Sequence, residues 1–286
     1  AEIMASNIGG TATLIGDPPN IMIGSAAGLS FADFVMVDAP AAIICLIVMI
    51  GLFYLLFGRK FKVDEEHKRA LMERDEREEI KNPTLLRQSV IMIILVTAGF
   101  MLHGSLGVES CVVALTAAGI LMLISGERIE EALAHVEWTT LVFFAGLFIV
   151  VGALSEVGVI GMLAQALIDV TGGSTFVAML VLLFASAVIS SFLDNIPFVA
   201  TMIPILLSME ATGMDVMPLW WAVSLGACLG GNGTLIGASA NVVMSDIAKK
   251  HGTEITFMGF LKYGFPIMLV TIAVSAVYLV VRFPPM

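Results

Sequence analysis

Side chains able to coordinate an ion or hydrogen-bond a small anion gather at three places in an otherwise apolar chain. Ile8–Asn20 reads IGGTATLIGDPPN, and Leu229–Asn241 reads LGGNGTLIGASAN, the same pattern at a constant shift of 221 residues. Past a five-residue insertion the match resumes at a shift of 226, pairing Phe31, Phe34 and Pro40 with Phe257, Phe260 and Pro266. The third cluster is Ser190–Pro197, SSFLDNIP. Gly, Asn and Pro inside a membrane-depth helix free backbone N–H and C=O groups, each costly unless protein, water or an ion satisfies it. Such breaks are therefore expected to line a cavity. The candidate lining is Asn7, Thr11, Thr13, Asp17 and Asn20 in the first copy, and Asn232, Thr234, Ser239 and Asn241 in the second. Unwound carbonyls with Asn and Thr oxygens suit a cation, whereas half-helix N-termini suit an anion.

Ser190, Ser191, Asp194 and Asn195 complete the candidate set. A carboxylate near bilayer mid-depth costs at least about 2.5 to 3.5 kcal/mol, so an acid there usually faces a wet cavity. Asp194 is expected to bind a cation or to exchange a proton, against the plainer role of capping the next helix. The same two readings hold for Asp17, because Asp-Pro-Pro is also a common turn. Na⁺ is expected at Asp194, Asn195, Asn232 and Asn241, with Na⁺ or H⁺ as coupling ion and no other cofactor. Asp246, next to Lys249 and Lys250, suits a surface charge pair.

The elements that must position these residues are membrane helices. Of the 286 residues 58% are hydrophobic and 13% charged, and the mean hydropathy is +0.99. Charge-free apolar runs long enough to cross a bilayer occur at Ala39–Phe57, Gln88–Leu102, Ser110–Ser125, Trp138–Ser155, Thr175–Leu193 and Tyr263–Val281. Period-two alternation is absent, so helices rather than barrel strands are expected. Cys45, Cys111 and Cys228 form no CxxC and read as buried thiols.

Of the 14 Lys and Arg, nine lie in Arg59–Arg87, and Arg128, Lys249, Lys250 and Lys262 fall in segments on the same side; only Arg282 lies opposite. The alternate loops at Gly24–Asp38, His103–Val108, Glu156–Gly173 and Glu210–Pro218 carry no Lys or Arg, which places the basic segments in the cytoplasm. The stretch Asp64–Lys81 reads as a solvated cytosolic helix with weak pairs from Asp64 to Lys68, Glu65 to Arg69 and Glu73 to Arg77. Three regions follow. Residues 1–57 end an N-terminal repeat with an unwound helix and a span. Residues 58–87 form a charged cytoplasmic linker. Residues 88–286 form a C-terminal repeat with a re-entrant hairpin at about 175–209, an unwound helix at about 216–247 and a final span at 263–281.

Four clear spans separate the two copies, and the pair Thr175–Leu193 and Ile196–Met209, interrupted at Asp194-Asn195 and Pro197, adds no net crossing. The first copy then runs from inside to outside and the second from outside to inside, an inverted repeat. The expected fold is an all-α polytopic membrane protein of that kind, and an enzyme is not expected. Gly226–Gly237 lacks the GK[ST] order and the βαβ setting of a nucleotide loop. No basic patch suggests nucleic acid, and His67, His103 and His135 have no metal-like spacing. Trp220-Trp221 fits an interfacial belt, and Gly146, Gly152, Gly158 and Gly161 fit close helix approach.

SNIGGTATLIGDPPN (Ser6–Asn20), SSFLDNIPFVATMIP (Ser190–Pro204) and GACLGGNGTLIGASANVV (Gly226–Val243) resemble the ArsB/NhaD permeases of the ion-transporter superfamily, with its citrate-transporter-like fold, and especially the group containing the melanosomal P protein. The resemblance covers the chain outside the charged linker. It implies two inverted repeats, each with a re-entrant hairpin and an unwound helix, usually a homodimer in the lipid bilayer, working by alternating access with an elevator-like domain. By that likeness several spans and a first hairpin precede Ala1, so this chain is expected to be a C-terminal portion, to need the missing N-terminal half and not to transport alone. In a prokaryote the membrane is the plasma membrane. Family members include Na⁺/H⁺ antiporters and arsenite exporters, with more distant relatives carrying carboxylates. The acids near mid-depth, unaccompanied by Lys or Arg, favour a cation-coupled secondary transporter with Na⁺/H⁺ antiport preferred; arsenite, antimonite or carboxylate transport is the alternative. A channel or a structural subunit is the reading of another class, disfavoured because polarity concentrates at duplicated breaks.

Overall fold

The computed structural model describes residues 1–58, 68–69, 72–73, 80, 82–126 and 128–285, without the side chains of 103–106. Most of the charged linker, including one partner of each expected ion pair there, lies outside the described residues. The chain divides into two compact units, Ala1–Tyr54 with Val142–Met286, and Leu55–Leu141.

Every regular element among the described residues is helical. In the first unit α1 (Glu2–Thr11) and α2 (Pro18–Ala27) are followed by α3 (Phe31–Phe57), which runs on into the second unit. The second unit holds α4 (Pro83–Leu106), α5 (Ser110–Ser125) and the short α6 (Ile129–Ala134). Helix α7 (Trp138–Glu156) leads back to the first unit, which continues with α8 (Val159–Thr171), α9 (Thr175–Phe192), α10 (Asn195–Ala211), α11 (Met217–Gly230), α12 (Ser239–Lys250) and α13 (Phe257–Arg282). Five of the described helices are long and apolar enough to cross a membrane: Phe31–Phe57, Pro83–Leu102, Trp138–Glu156, Thr175–Phe192 and Phe257–Arg282. Ser110–Ser125, expected as a span, is a shorter apolar helix of 16 residues.

Helix α11 is the centre of the first unit. Its sequence MPLWWAVSLGACLG is apolar on every face, and Pro218 through Gly230 are all buried, as such a helix requires. Helices α1, α2, α9, α10 and α13 pack around it. Two glycines one turn apart set the α9–α11 spacing. A Cβ on Gly226 would lie 2.6 Å from Ser186 Cβ, and one on Gly230 would lie 2.7 Å from Ala187 O. The close approach is therefore here, and not at Gly146, Gly152, Gly158 or Gly161, where a Cβ would meet nothing within 4 Å. Trp220 and Trp221 are likewise core residues, each 2% exposed, rather than an interfacial belt. Phe34 meets Trp221 edge-on at 5.1 Å between centroids, so the aromatic pair holds α3 to α11.

Two expected loops are helical. Gly24–Asp38 contains the end of α2 and the first two turns of α3, because Phe31, Phe34 and Val37 face inward at helical spacing. Glu156–Gly173 contains α8, closed by Gly172 at φ 62°, where a residue without a Cβ fits best. Pro40 in α3 and Pro266 in α13 sit inside long helices at matching positions; each removes one N–H from the ladder.

Candidate functional site

Each repeat motif forms a helix, a six- to eight-residue break and a second helix. Helix α1 ends at Thr11 and α2 starts at Pro18, with an extended Asp17 at the N-cap position whose side chain makes no capping hydrogen bond. Helix α11 ends at Gly230 and α12 starts at Ser239, with an extended Ala238 at the N-cap position. Asp17 and Ala238 are equivalent under the shift of 221. An Asn one turn into the second helix reaches back to satisfy the carbonyls that the break frees. Asn20 Nδ2 donates to Thr11 O and Thr13 O, both at 3.1 Å. Asn241 Nδ2 donates to Gly231 O at 2.7 Å and Thr234 O at 2.8 Å. Glycine pairs let the strands of each break touch: a Cβ on Gly10 would sit 2.9 Å from Gly16 O, and one on Gly237 would sit 2.9 Å from Gly231 O, at matching positions.

The two breaks also hold one another. Asn7 Nδ2 donates to Asn241 Oδ1 at 2.8 Å and to Asn232 Oδ1 at 2.9 Å. The position equivalent to Asn7 is Cys228, whose thiol points at Asn20 Oδ1 at 3.4 Å; Asn20 in turn is equivalent to Asn241. Contacts thus run reciprocally from the helix of each copy to the amide of the other. Farther along, Cys45 Sγ reaches the carbonyl of Thr271, its own equivalent at the shift of 226, at 3.4 Å.

Beside the breaks lies a cavity of about 170 Å³. Its wall includes Asn7, Asp17, Asn195 and Ser239, and no Lys or Arg among the described residues. Asn195 Nδ2 donates to both Asp17 oxygens, at 3.1 and 3.3 Å. The first residues of α2, α10 and α12 all reach this wall, so three helix N-termini converge there with their partial positive ends, although Pro18 and Pro19 offer no N–H and Ile196 N already donates to Asp194. Asp194 caps α10 by accepting from Ile196 N at 3.1 Å, and its other oxygen lies 3.5 Å from Ser239 Oγ.

The remaining sequence candidates stand behind the cavity as a brace. Ser190 Oγ donates to Ala227 O at 2.7 Å, and Ser191 Oγ is bonded to Ala187 O at 2.7 Å and lies 2.9 Å from Gly230 O. Thr234 Oγ1 donates to Ser191 O. Thr11 Oγ1 donates to Asn7 O at 2.9 Å. Thr13 contributes its carbonyl, and Asn20, Asn232 and Asn241 are fully buried. The residues expected to hold Na⁺ are divided: Asn195 and Asp194 start α10, while Asn232 and Asn241 are engaged by Asn7.

Asp38 and Ser224 belong to the same network and escaped the sequence reading. Both are 0% exposed. Ser224 Oγ lies 2.6 Å from Asp38 Oδ2 and 2.8 Å from Asn20 Oδ1. The clue was present in the extended repeat: matching Phe31, Phe34 and Pro40 to Phe257, Phe260 and Pro266 already places Asp38 inside a helix, opposite Gly264.

A family model described as the citrate transporter, CitMHS, matches residues 1–226. The 46 kDa membrane protein of Mycobacterium leprae (strain TN) is 44% identical over 286 residues, covering 99% of this chain and 67% of that protein. An uncharacterized transporter of Mycobacterium tuberculosis (strain ATCC 25618 / H37Rv) is 45% identical over 287 residues, 99% of this chain and 66% of its own length. The P protein of Mus musculus is 33% identical over 364 residues, covering 98% of this chain and 43% of the mouse protein. The chain spans about two thirds of the length of the mycobacterial relatives it matches. With its long apolar helices, it is a multi-pass integral membrane protein from a family of transporters rather than enzymes.

Proposed function

The chain belongs to the citrate transporter family, CitMHS, and on that premise we propose that it is a secondary active transporter moving a small carboxylate anion together with a cation by alternating access. One observation carries the reading: three helix N-termini and the Asp17–Asn195 pair meet at a single cavity whose described wall residues include no Lys or Arg. Helix starts attract a carboxylate, but Asp17 and Asp194 repel it, so the anion needs a cation beside it. The same acids coordinate that cation.

The domain reading follows. Residues 1–57 end one repeat and 88–286 form the other in inverted topology, with Thr175–Phe192 and Asn195–Ala211 as a re-entrant hairpin and 216–247 as the second unwound helix. The reciprocal contacts of Asn7 with Asn241 and Cys228 with Asn20 support it, since a two-fold relation produces such an exchange. Residues 58–87 are cytoplasmic in this reading, and the assembly is a homodimer. Match to the citrate transporter model, rather than likeness to ArsB/NhaD permeases alone, moves the cargo from arsenite toward a carboxylate. Na⁺/H⁺ antiport is the second reading, favoured by a cavity whose charged wall residue, among those described, is the acid Asp17.

The test is uptake in liposomes by the full-length transporter, this chain together with the N-terminal half it is expected to need, using labelled citrate as probe under an imposed Na⁺ or proton gradient. Gradient-driven citrate uptake, lowered at least about tenfold by Asp17→Asn, is expected. Na⁺-driven proton movement with no citrate flux would replace this reading with antiport.

A further inference from the structure

The Ser224 hydroxyl has one proton and two short contacts. Asn20 cannot supply a second proton to them. Its Nδ2 is committed to the carbonyls of Thr11 and Thr13, which fixes Oδ1 toward Ser224 as an acceptor. If Asp38 were ionised, Ser224 would serve one acceptor and leave its lone pairs facing the other at under 3 Å. Both contacts are satisfied only when Asp38 Oδ2–H donates to Ser224 Oγ and Ser224 O–H donates to Asn20 Oδ1. A second observation agrees. Asp38 Oδ1 is buried with no hydrogen-bond partner, a position tolerable for the carbonyl oxygen of a neutral acid and very costly for half of a carboxylate. No ion pair among the described residues includes Asp38.

The geometry points to Asp38 as a proton-binding site that couples proton movement to the broken helix through Ser224 and Asn20. Asn20 is the amide that laces the first break, so the state of Asp38 is read where the cavity is built. When the site opens to water, the proton leaves Asp38 Oδ2 for water and Ser224 turns its O–H from Asn20 to the new carboxylate. No covalent heavy-atom bond changes. Asn20 Oδ1 then retains only the weak Cys228 thiol, and the Thr11–Asn20 loop loses a fixed partner. The titratable groups around Asp38 are Cys228 on α11, which also interacts with Asp17, and Tyr278 on α13, whose hydroxyl donates to Val37 O at 2.7 Å. Neither supplies a positive charge to hold Asp38 ionised.

This assignment rests on the transporter reading for its purpose, but not for its test. Infrared spectroscopy of the reconstituted protein at neutral pH should show a protonated-carboxyl C=O band that shifts in D₂O and disappears in Asp38→Asn. Ser224→Ala, which keeps the acid, should move that band to the position of a carboxyl without its hydrogen bond. An unchanged band in both variants overturns the assignment. In the flux assay, Asp38→Asn should abolish the stimulation of citrate uptake by an inward proton gradient; stimulation equal to wild type would also overturn it. If the band behaves as expected but no citrate moves, the proton site stands and the carboxylate reading falls.

Discussion

Asn241→Ala tests the idea that paired amides hold the breaks. The substitution removes the donor to Gly231 O at 2.7 Å and to Thr234 O at 2.8 Å, and one of the two acceptors of Asn7 Nδ2. Two bounds frame the cost. Hydrogen bonds between membrane helices average only about 0.6 kcal/mol, because the unfolded chain in lipid finds other partners. A buried polar group left without a partner costs about 1 to 3 kcal/mol. The second bound governs here, since Asn232, Thr234 and Asn241 are 0% exposed and water does not reach the orphaned carbonyls without a rearrangement. The expected loss is about 3 kcal/mol. Asn20→Ala should cost a similar amount, because Asn20 laces Thr11 and Thr13 in the same pattern. Equilibrium unfolding in mixed micelles reads both. A loss under about 1 kcal/mol for Asn241→Ala, within the average for membrane hydrogen bonds, would refute the reasoning.

Gly230→Leu should prevent α9 and α11 from closing, since even its Cβ would lie 2.7 Å from Ala187 O; a sharp fall in folded yield is expected. Gly161→Ala is its control, with nothing within 4 Å of the new Cβ, and should stabilise by about 0.5 to 1 kcal/mol through lower chain entropy in the unfolded state. Of the three cysteines expected to be buried, Cys111 is exposed, while Cys45 and Cys228 are both 0% exposed, so N-ethylmaleimide should modify the latter two only on unfolding; rapid native labelling of Cys228 would contradict its place against Asn20.

Much of the architecture was legible because membrane helices must be apolar and their interruptions must be repeated polar motifs. The matching breaks at Thr11–Pro18 and Gly230–Ser239 follow from sequence identity alone. What could not be read was which polar atoms face the cavity and which face backbone. Ser190, Ser191 and Asn195 are near neighbours, yet the serines turn to the α11 backbone while Asn195 turns to Asp17. That choice depends on how closely α9 approaches α11, a distance set by Gly226 and Gly230 some 40 residues away. Asp38 was missed for a different reason. Hydropathy starts a span where charge ends, so an acid two turns inside a helix moved the expected boundary past itself to Ala39.

The repeat is symmetric in its backbone and asymmetric in its charge. Asp17 stands opposite Ala238 and Asp38 opposite Gly264, so the half-buried Asp17 and the buried Asp38 both fall in the first copy. Gly264 has no room for an acid, because a Cβ there would lie 2.5 Å from Asn232 O and 2.8 Å from the Phe260 ring. Space alone does not explain Ala238, which already carries a Cβ and is 6% exposed. Electrostatics does: the wall already carries Asp17, with no Lys or Arg among the described lining residues and Asp194 beside Ser239, and a further carboxylate at Ala238 would add repulsion that no fixed cation relieves. A matched pair of breaks can supply equivalent backbone frames on both sides of a site, but each added carboxylate without a fixed cation raises the cost of keeping the others ionised. Keeping the acids of the motif in one copy meets both requirements, and it makes the first break, with Asn20 between Asp38 and the cavity, the half whose protonation the site can sense.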